Sequence, residues 1–534
     1  MAGVAAPLPT RRAELLARLA QPRTWDVAVV GGGATGLGVA LDAAARGFSV
    51  VLLESHDFAG GTSSRSTKLL HGGVRYLAQG NFALVREALH ERSTVLRNAP
   101  HLAAPLPFVM PSYAWWQTPF YGLGLKLYDL LAGRAGLGPT ALLSRAQALA
   151  SLPKLKPEGL RGGVLYWDAQ FDDARLALAL ARTAASRGAL LVNYCAAQTL
   201  IHEGGRVAGL QCRDEETGQN HAVRARCIIN AAGVWVDALR QQDGAAIGRP
   251  TAPIVRPSQG VHVVVDGAFM PGRHALLVPH TADGRVLFAV PWLGKLVLGT
   301  TDTPRRELAR EPHPLRQELD FILGEAGRYL ARPPTRADVK SIWVGLRPLV
   351  GRANGNGGTP SLSREHAVLV SASGLITVTG GKWTTYRTMA EDVLEHCFAA
   401  GLLPRIKGGA SANMMLVGGS AGARLGEPDL TAPPGPSLYG DELAALSALP
   451  GYDHELTPGL SEAMIRFAAR CEYARTVGDV LARRSRLLFL DAERAAAVAP
   501  AVGVILAQET GRDPQVAAFS TLAQEYLRWP EQDS

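Results

Sequence analysis

The chain has 534 residues, a formal net charge of +8 and a hydrophobic fraction of 47%, and its length corresponds to about three or four domains. Its 58 glycines and 34 prolines exclude a collagen-like or low-complexity chain. The positive charge does not by itself indicate a nucleic-acid partner, because it fits an anionic small substrate or an anionic membrane surface equally well.

Residues 1–23 predict either a short amphipathic helix or a disordered arm, and they hold no apolar stretch of signal-peptide length. No run of about 18 apolar residues follows, so no transmembrane helix is predicted. The five cysteines show no CxxC spacing, which argues against a zinc site or a disulfide framework and favours a reducing compartment. We therefore expect no bound metal.

Regular structure is predicted to begin with a β-α-β unit. Residues 26–30 form a short apolar run that stops at Gly31, as expected of a buried parallel strand. An alanine-rich helical pattern covers 37–46 and ends at Gly47, and residues 49–54 form a second apolar strand.

The middle of the chain mixes helical and strand patterns. Residues 80–98 and 174–187 are predicted helical, whereas prolines and aromatic residues interrupt regular structure over 100–140. The predicted strands are 190–194, 206–212, 227–230, 261–265 and 286–290. Those within 253–300 suggest an antiparallel sheet.

The last part of the chain is predicted helical after a linker. Residues 401–440 are rich in glycine, proline and serine, and the chain beyond them is rich in alanine, leucine and arginine. Thr476 and Asp479 form a capping pattern, Asp491 caps the next helix, and Gly511 ends the helix that follows Pro500.

A glycine motif, G-x-G-x-x-G, lies at Gly31, Gly33 and Gly36 between the first strand and its helix. Gly31 permits the tight turn, Gly33 lets a pyrophosphate approach the backbone, and Gly36 lets helix and strand pack closely. The helix N-terminus supplies N–H donors to the diphosphate. Glu54 ends the second strand about 20 residues later, where it accepts hydrogen bonds from ribose and disfavours NADP. FAD and NAD both remain compatible with this motif.

Two later strands favour FAD. Residues 227–230 run into small residues that end at Gly233, and residues 375–379 run into Gly380 and Gly381. Such strand ends resemble those beside the cofactor in flavoproteins of the glutathione-reductase-like group. A glycine pair that leads into a helix also suits the polar edge of a flavin.

Four ordered motifs resemble the signature of FAD-dependent, respiratory glycerol-3-phosphate dehydrogenases. They are TSSRSTKLLHGGVRYL at 62–77, GTTD at 299–302, GLRPL at 345–349 and GGKWTTYR at 380–387. The resemblance is strong over residues 24–400 and extends to the helical tail. Several motifs in one order are far more specific than the glycine motif alone.

The resemblance implies an α/β fold with three parts. They are a glutathione-reductase-like FAD-binding Rossmann domain, an interleaved antiparallel-sheet substrate domain and an α-helical C-terminal domain. The predicted FAD-binding domain spans 24–98, 188–240 and 345–400, the substrate domain 99–187 and 241–344, the linker 401–440 and the C-terminal domain 441–534.

The resemblance also implies a reaction, the oxidation of sn-glycerol 3-phosphate to dihydroxyacetone phosphate, with FAD as cofactor and quinone as electron acceptor. A related oxidase passes its electrons to oxygen, and the motifs do not separate these acceptors. Another flavin amine or hydroxy-acid oxidase of the same fold is a further alternative, although such enzymes generally lack the motif at 62–77. A flavin-binding protein that modifies RNA or serves as a scaffold is the alternative from another class. No aromatic-interleaved basic motif supports it, and we expect no nucleic-acid partner.

The resemblance assigns the substrate contacts to Arg75, Tyr76, Arg347 and Arg364. Arginine forks match a phosphate dianion well, although most arginines are solvated surface residues. Arg347 lies between apolar neighbours, which is awkward for a surface arginine.

The resemblance places His262, Arg347 and Lys382 at the reacting centre. His262 would take the C2 hydroxyl proton, and its alternative is a buried core histidine. Lys382 would act as a cation near the developing alkoxide or the flavin N1/O2 locus, and its alternative is a surface lysine after a turn. Asp302 is either structural or orients the histidine.

The residues expected to line FAD lie in the glycine-rich turns and in the 62–77 motif. They are Gly31, Gly33, Gly36, Glu54, Thr62, Ser63, Ser66, Lys68, Leu70, His71, Gly72, Gly73, Gly233, Trp235, Gly380, Gly381, Lys382 and Thr384. For His71, we expect contact with the flavin rather than acid–base work.

Membrane contact is expected mainly from the resemblance. The aromatic stretch 111–138 carries Lys126 and Arg134, which is typical of an interface with lipid, or its aromatics line the substrate-domain core. The arginines of 483–486 predict either contact with anionic lipid or a solvated helix face. We expect a cytoplasmic protein, peripheral on the inner face of the cytoplasmic membrane, and the resemblance leaves a homodimer open.

Overall fold

The computed structural model describes residues 6–74, 77, 80–281, 284–351, 365–419 and 428–531. Its strands are β1 (Thr24–Val30), β2 (Val50–Leu53), β3 (Leu69–Leu70), β4 (Ala103–Ser112), β5 (Ala141–Ser144), β6 (Gly162–Phe171), β7 (Leu190–Val192), β8 (Cys195–Glu203), β9 (Arg206–Asp214), β10 (Asn220–Asn230), β11 (Val255–Asp266), β12 (Ala275–Val278), β13 (Leu287–Trp292), β14 (Lys295–Gly299), β15 (Thr303–Pro304), β16 (Val339–Val350), β17 (His366–Val370), β18 (Ile376–Gly380), β19 (Glu455–Thr457) and β20 (Leu460–Ser461).

The helices pack against the two sheets and build the C-terminal domain. They are α1 (Arg12–Leu19), α2 (Ala34–Ala45), α3 (Phe82–Asn98), α4 (Gln117–Ala132), α5 (Arg145–Ser151), α6 (Asp173–Ser186), α7 (Val236–Ala246), α8 (Arg316–Tyr329), α9 (Tyr386–Ala399), α10 (Leu443–Ser447), α11 (Glu462–Cys471), α12 (Val477–Asp479), α13 (Leu487–Leu490), α14 (Ala492–Thr510) and α15 (Val516–Glu525). None of them, within the described part of the chain, has the length and apolar character that crossing a bilayer requires.

The first sheet is a mostly parallel Rossmann sheet with the strand order β17-β18-β10-β1-β2-β7. Parallel ladders join β1 to β2 and to β10, whereas β17 pairs antiparallel with β18 at one edge. Val27, Ala28 and Val29 of β1 are fully buried, as expected of a central strand in a parallel sheet. The α/β fold class predicted from the resemblance is confirmed.

The second sheet is largely antiparallel, and β11 is one of its interior strands. Its strand order is β15-β11-β14-β13-β12-β4-β6-β3, with β16 also paired to β11. The register sets His262 of β11 opposite Trp343 of β16 and opposite Gly299 of β14. The interleaved sheet therefore carries the predicted base on a central, paired strand.

Residues 100–140 are more regular than their prolines suggest. Pro105, Pro107 and Pro111 all lie in β4, which pairs antiparallel with β6 along its whole length. The three prolines lie an even number of positions apart, and every second residue of a strand directs its N–H group to the same side. Their missing N–H groups therefore fall on one side of β4, away from the ladder with β6.

The predicted domain boundaries differ from the sheets at β3 and at β16. Strand β3, inside the predicted FAD-binding segment 24–98, pairs with β6 of the second sheet. Strand β16 continues to Val350 within the second sheet, beyond the predicted boundary at 345. The predicted linker packs against the body of the protein, with Leu416, Leu430 and Leu438 buried. Apolar side chains spaced among the glycines and prolines explain this packing.

The C-terminal helices begin and end at the predicted capping residues. Thr476 and Asp479 form a capping box, the Asp491 side chain accepts the N–H of Arg494, and Gly511 ends α14 in the left-handed conformation. At the N-terminus, of the two predicted alternatives, the helix is present: it is α1, and it buries Leu15 and Leu19.

The arginine cluster at 483–486 is buried, so both expectations for it are wrong. Arg484 and Arg486 are 3% and 0% exposed. Arg484 pairs with Asp57, and Arg486 pairs with Asp173 at 3.0 Å. Carboxylates from the first two domains neutralise these arginines, which therefore join domains rather than face lipid or solvent.

Candidate active site

The amino terminus of α2 forms a cradle of backbone groups at the carboxyl end of β1. Gly31 has a φ of +108°, and a Cβ there would lie 2.6 Å from the carbonyl oxygen of Ala231, so only glycine fits this turn. A Cβ at Gly36 would meet the Gly31 carbonyl oxygen at 2.0 Å. These close approaches bring the first turn of α2, with its N–H donors, to the edge of the sheet.

Glu54 closes one side of the cradle. Its Oε2 accepts the N–H of Gly32 at 2.7 Å, and its Oε1 accepts the N–H of His56 at 2.9 Å. The carboxylate is thereby fixed where a Rossmann fold recognises ribose hydroxyls.

The cradle fits the diphosphate and ribose of FAD. Within 4 Å, a Cβ at Gly33 would meet only the Ser63 hydroxyl, at 3.1 Å, and a Cβ at Gly233 would meet no heavy atom of the described chain. Both backbones therefore face space into which a ligand group fits. Together with the Glu54 carboxylate and the N–H groups of α2, these residues would hold FAD.

The segment 62–67 joins the cradle to the second sheet. The Ser63 hydroxyl accepts the N–H of Ala34, the first residue of α2, at 2.9 Å. The Thr62 hydroxyl donates to the carbonyl of Leu346 on β16 at 2.6 Å. One short segment therefore fixes the helix N-terminus relative to the strand that carries Arg347.

His262 lies at the other end of that segment. Its Nε2 forms a 2.9 Å hydrogen bond with the Thr67 hydroxyl, and its ring stacks on Trp343 with centroids 4.0 Å apart. Burial, together with the positive charges of Lys68 and Arg347, holds the pKa of His262 well below its ordinary value. The ring is neutral at physiological pH, as a general base must be.

The Arg347 guanidinium is held by residues 300–302. Nη1 donates to the carbonyl of Thr301 at 3.0 Å and to Asp302 Oδ1 at 3.4 Å, and Nη2 donates to the Thr300 hydroxyl at 3.2 Å. A Cβ at Gly260 would lie 2.3 Å from Nη2, so the neighbouring strand leaves room for this side chain. Because the side chain is 24% exposed, an incoming anion can reach it.

Ser66 and Lys68 lie in a buried ionic network. The Lys68 ammonium donates to Asp173 Oδ2 and to the carbonyl of Ser64, each at 2.7 Å, and the Ser66 hydroxyl donates to the same carboxylate at 2.7 Å. Burial lowers the pKa of Lys68 to about 7, although Asp173 favours the charged form. The expected contacts of Ser66 and Lys68 with FAD stay predictions.

Gly72 packs against a buried polar cluster. Its N–H donates to the Tyr128 hydroxyl at 2.8 Å, and the Tyr128 hydroxyl donates to Asp168 Oδ1 at 2.9 Å. Asp168 also pairs with Arg92 at 2.7 Å. Leu70 on β3, two residues before Gly72, is fully buried. These contacts fix the backbone that leads toward the predicted substrate residues.

Three of the predicted substrate contacts lie outside the described residues, namely Arg75, Tyr76 and Arg364. Of the residues just before them, His71 is half-buried and Gly73 is buried. The roles of all five stay predictions.

The turn after β18 meets the segment 62–67. The Trp383 indole donates to the carbonyl of Ser63 at 2.7 Å. The predicted residues of this turn are Gly380, Gly381 and Lys382, which are half-buried, and Thr384, which is buried. The glycine pair therefore stands beside the cradle, as a contact with the flavin requires.

Trp235 lies on the Glu54 side of the cradle and meets a residue that no motif indicates. Arg310 stacks on the Trp235 ring, with Cζ 4.2 Å from its centroid, and donates to the Ser55 hydroxyl at 3.1 Å. The Trp235 indole donates to the carbonyl of Leu308 at 3.1 Å. A loop of the substrate domain thus closes over this part of the cradle.

Sequence reasoning missed the immediate neighbours of His262 and Arg347. Thr67 and Thr300 lie within the family motifs at 62–77 and 299–302. Their place in these motifs is the sequence feature that could have identified them as site residues. Trp343 lies in no motif, and only its register opposite His262 reveals its role.

Comparison with known proteins agrees with this architecture. Residues 26–387 match the family model described as FAD dependent oxidoreductase, and residues 437–517 match the C-terminal domain of alpha-glycerophosphate oxidase. The human protein named mitochondrial glycerol-3-phosphate dehydrogenase is 41% identical over 542 residues, which cover 95% of this chain and 73% of that protein.

Solved structures show the same fold. The glycerol-3-phosphate dehydrogenase of Bacillus halodurans, complexed with FAD, superposes with a TM-score of 0.76 at 30% identity, over 98% of this chain and 99% of that one. The L-alpha-glycerophosphate oxidase of Mycoplasma pneumoniae shares the fold, with a TM-score of 0.55 at 16% identity over 73% and 98% of the two chains.

Proposed function

The chain belongs to the family of FAD-dependent glycerol-3-phosphate dehydrogenases, and we propose from this premise that it oxidises sn-glycerol 3-phosphate to dihydroxyacetone phosphate at the site described above. Its relatives carry that name at 41% identity over nearly the whole chain. FAD is the cofactor, since the family and the glycine cradle both call for it.

One geometric observation carries the proposal. The segment 62–67 contacts the first residue of α2 through Ser63 and contacts His262 through Thr67. A neutral imidazole therefore belongs to the same contiguous set of contacts as the nucleotide cradle, and Arg347 follows the strand residue that this segment also binds. A base, a guanidinium and a flavin cradle together suit the oxidation of a phosphorylated secondary alcohol.

We assign a role to each group. Arg347 binds the substrate phosphate, together with Arg75 and Arg364 by resemblance. His262 removes the proton of the C2 hydroxyl. Lys382 stabilises the negative charge that develops at the reacting centre. FAD, when bound, supplies the oxidation by accepting the hydride from C2.

The exposed face of α4 supports action at a membrane surface. Along this helix and just before it, large apolar residues face solvent at helical spacing, and Phe120, Leu123 and Leu130 are 64%, 75% and 77% exposed. Lys126 and Arg134 are exposed beside them. Exposed aromatic and leucine side chains next to basic residues suit the interface of an anionic membrane.

We infer that this face docks on the inner face of the cytoplasmic membrane and that quinone takes the electrons. Quinones are apolar and dissolve in the bilayer, so an enzyme that docks on the membrane surface meets this acceptor there. Oxygen is the competing acceptor, because an oxidase shares the fold.

Turnover by the purified yellow protein tests the proposal. Glycerol 3-phosphate is offered with a quinone-like dye under argon and, separately, with oxygen alone; glycine and a D-amino acid serve as rival substrates. We expect dye-linked turnover of glycerol 3-phosphate, slower consumption of oxygen, and no oxidation of the amino acids. Equal or faster turnover with oxygen would identify an oxidase, and oxidation of an amino acid alone would overturn the substrate.

A further inference from the structure

We propose that Thr67 is a positioning residue for His262, whose hydroxyl holds the ring in the tautomer that carries hydrogen on Nε2. The Nδ1 atom is then the one that takes the substrate proton. This inference rests on the proposed function, in which His262 is the base.

The packing around the ring distinguishes its two nitrogens. The Nε2 atom forms the 2.9 Å hydrogen bond with the Thr67 hydroxyl. On the same edge, a Cβ at Gly299 would lie 2.5 Å from Cδ2 and 3.1 Å from Nε2, so the backbone of β14 covers that edge. Trp343 covers one face of the ring at 4.0 Å. Nε2 is therefore committed to contacts within the protein.

The Nδ1 atom differs from Nε2 in its hydrogen bonding. It is buried and has no hydrogen-bond partner among the residues that the structure describes. A buried polar atom without a partner is costly unless a ligand completes it. A substrate hydroxyl is a suitable donor to a ring nitrogen whose lone pair is available, and that lone pair exists only if the hydrogen is on Nε2.

The charges around His262 explain why an acceptor at Nε2 matters. The ionised groups that face it are Lys68, directly after the 62–67 segment, and Arg347 on β16, and both oppose a positive ring. When the ring takes a proton, an N–H that donates to the Thr67 hydroxyl stabilises the imidazolium. Thr67 therefore assists both the orientation of the neutral base and the formation of its charged product.

The proton balance of this step is simple. The O–H bond at C2 breaks, its proton forms an N–H bond at Nδ1, and the electron pair left on oxygen forms the C=O bond as the C2 hydride leaves to the oxidant already named. His262 then holds hydrogen on both nitrogens and keeps its bond to Thr67.

Anaerobic stopped-flow reduction of the holoenzyme by glycerol 3-phosphate tests this role. Thr67→Val keeps the size of the side chain and removes the acceptor, whereas Thr67→Ser keeps the hydroxyl. We expect Thr67→Val to slow flavin reduction at least 10-fold with a substrate Kd within threefold of wild type, and Thr67→Ser to stay within threefold of the wild-type rate. The acid limb of the rate against pH moves to lower pH in Thr67→Val, because the imidazolium loses its acceptor.

Each contrary result has a distinct meaning. The positioning role would be overturned if Thr67→Val reduced its flavin at the wild-type rate, or if Thr67→Ser were as slow as Thr67→Val. If the acid limb of the pH profile did not move in Thr67→Val, Thr67 would contribute only packing. If Thr67→Val fails to retain FAD, Thr67→Cys replaces it, because a thiol is a weak acceptor, and we expect at least fivefold slower reduction. A wild-type protein that glycerol 3-phosphate does not reduce would instead refute the proposed function itself.

Discussion

Arg484 of the C-terminal domain and Asp57 of the FAD-binding domain form a buried ion pair, with Nη2 of the arginine 2.9 Å from Oδ1 of the carboxylate. Arg483 binds the same carboxylate. Asp57 follows Glu54 by three residues, so this pair ties the ribose-binding end of the cradle to the C-terminal helices. The C-terminal domain thereby supports the position of the cradle, although no residue of it enters the predicted FAD site.

Asp57→Asn should destabilise the protein strongly. An amide cannot balance the two arginines that the carboxylate binds, and leaving buried charges without a counterion costs about 3–5 kcal/mol. Asp320→Asn is the matched control, because Asp320 pairs with Arg316 on the surface, with both side chains more than half exposed, and should cost less than about 1 kcal/mol. Urea unfolding followed by tryptophan fluorescence measures both; similar losses in the two variants would contradict the prediction.

The contribution of Asp57 should disappear in acid. Burial alone would raise the pKa of Asp57, but the charges of Arg484 and Arg483 lower it below its ordinary value. A carboxyl whose pKa is lowered on folding stabilises the fold above its unfolded pKa, near 4, and loses that contribution as pH falls through the folded value. The difference in free energy of unfolding between wild type and Asp57→Asn should be constant above about pH 5 and narrow below about pH 4. A difference that does not change down to pH 3 would refute this linkage.

The sequence predicts local features of this site better than contacts between distant segments. The cradle depends on glycines and an acid within residues 31–54, and their spacing alone indicates a nucleotide site. The hydrogen bond between Thr67 and His262 joins residues 195 positions apart, and no periodicity in either segment reports it. The resemblance supplied His262, but its neighbour Trp343 required the register of β11 against β16.

The arginine cluster shows why charge patterns mislead. Several arginines within four residues normally indicate a solvated or lipid-facing surface. Arg483 has a local counterion in Asp479, at 2.7 Å. The counterions of Arg484 and Arg486 are Asp57 and Asp173, hundreds of residues away, and only the assembled domains bring them together. The burial of a charge depends on its partner, and the partners of Arg484 and Arg486 are not in the local sequence.

Arg347→Ala should raise the KM for glycerol 3-phosphate steeply while FAD stays bound. Loss of the guanidinium removes one of the three charged partners assigned to the substrate phosphate, at a cost of about 2–5 kcal/mol. The flavin absorbance at constant protein concentration checks that FAD is retained. Arg328→Ala is the control, because the Arg328 side chain is 63% exposed on α8. An unchanged KM in Arg347→Ala would rule out its phosphate role.

Glu54→Gln should weaken FAD binding by about 10-fold. The neutral amide can still accept one N–H, but it loses the charge-assisted bonds that a carboxylate makes to N–H and hydroxyl donors, and about 1.4 kcal/mol corresponds to a factor of 10. The fluorescence of FAD released on dilution of the holoenzyme measures the Kd. Glu14→Gln, a change on the exposed surface of α1, should leave the Kd unchanged, and equal Kd values for all three proteins would exclude Glu54 from the site.

The exposed face of α4 should govern binding to anionic membranes. Replacing Phe120, Leu123 and Leu130 together with serine removes apolar surface that the bilayer interface would bury. At about 1 kcal/mol for each partly buried side chain, the affinity for vesicles of phosphatidylglycerol and phosphatidylcholine should fall on the order of 100-fold. Dye-linked turnover in detergent-free buffer should not change, because none of the three replaced residues is assigned to the substrate or to FAD.

The control for this surface is Val504→Ser, which removes an apolar side chain that is 62% exposed on α14. Its vesicle binding should match wild type, because α14 presents no cluster of exposed aromatic and basic residues. Vesicles without anionic lipid add a second comparison, since Lys126 and Arg134 each contribute about 1 kcal/mol only near negative headgroups. If the triple variant sediments with anionic vesicles as fully as the wild type does, membrane contact belongs to another surface. Quinone-linked turnover in those vesicles should follow the bound fraction in every variant.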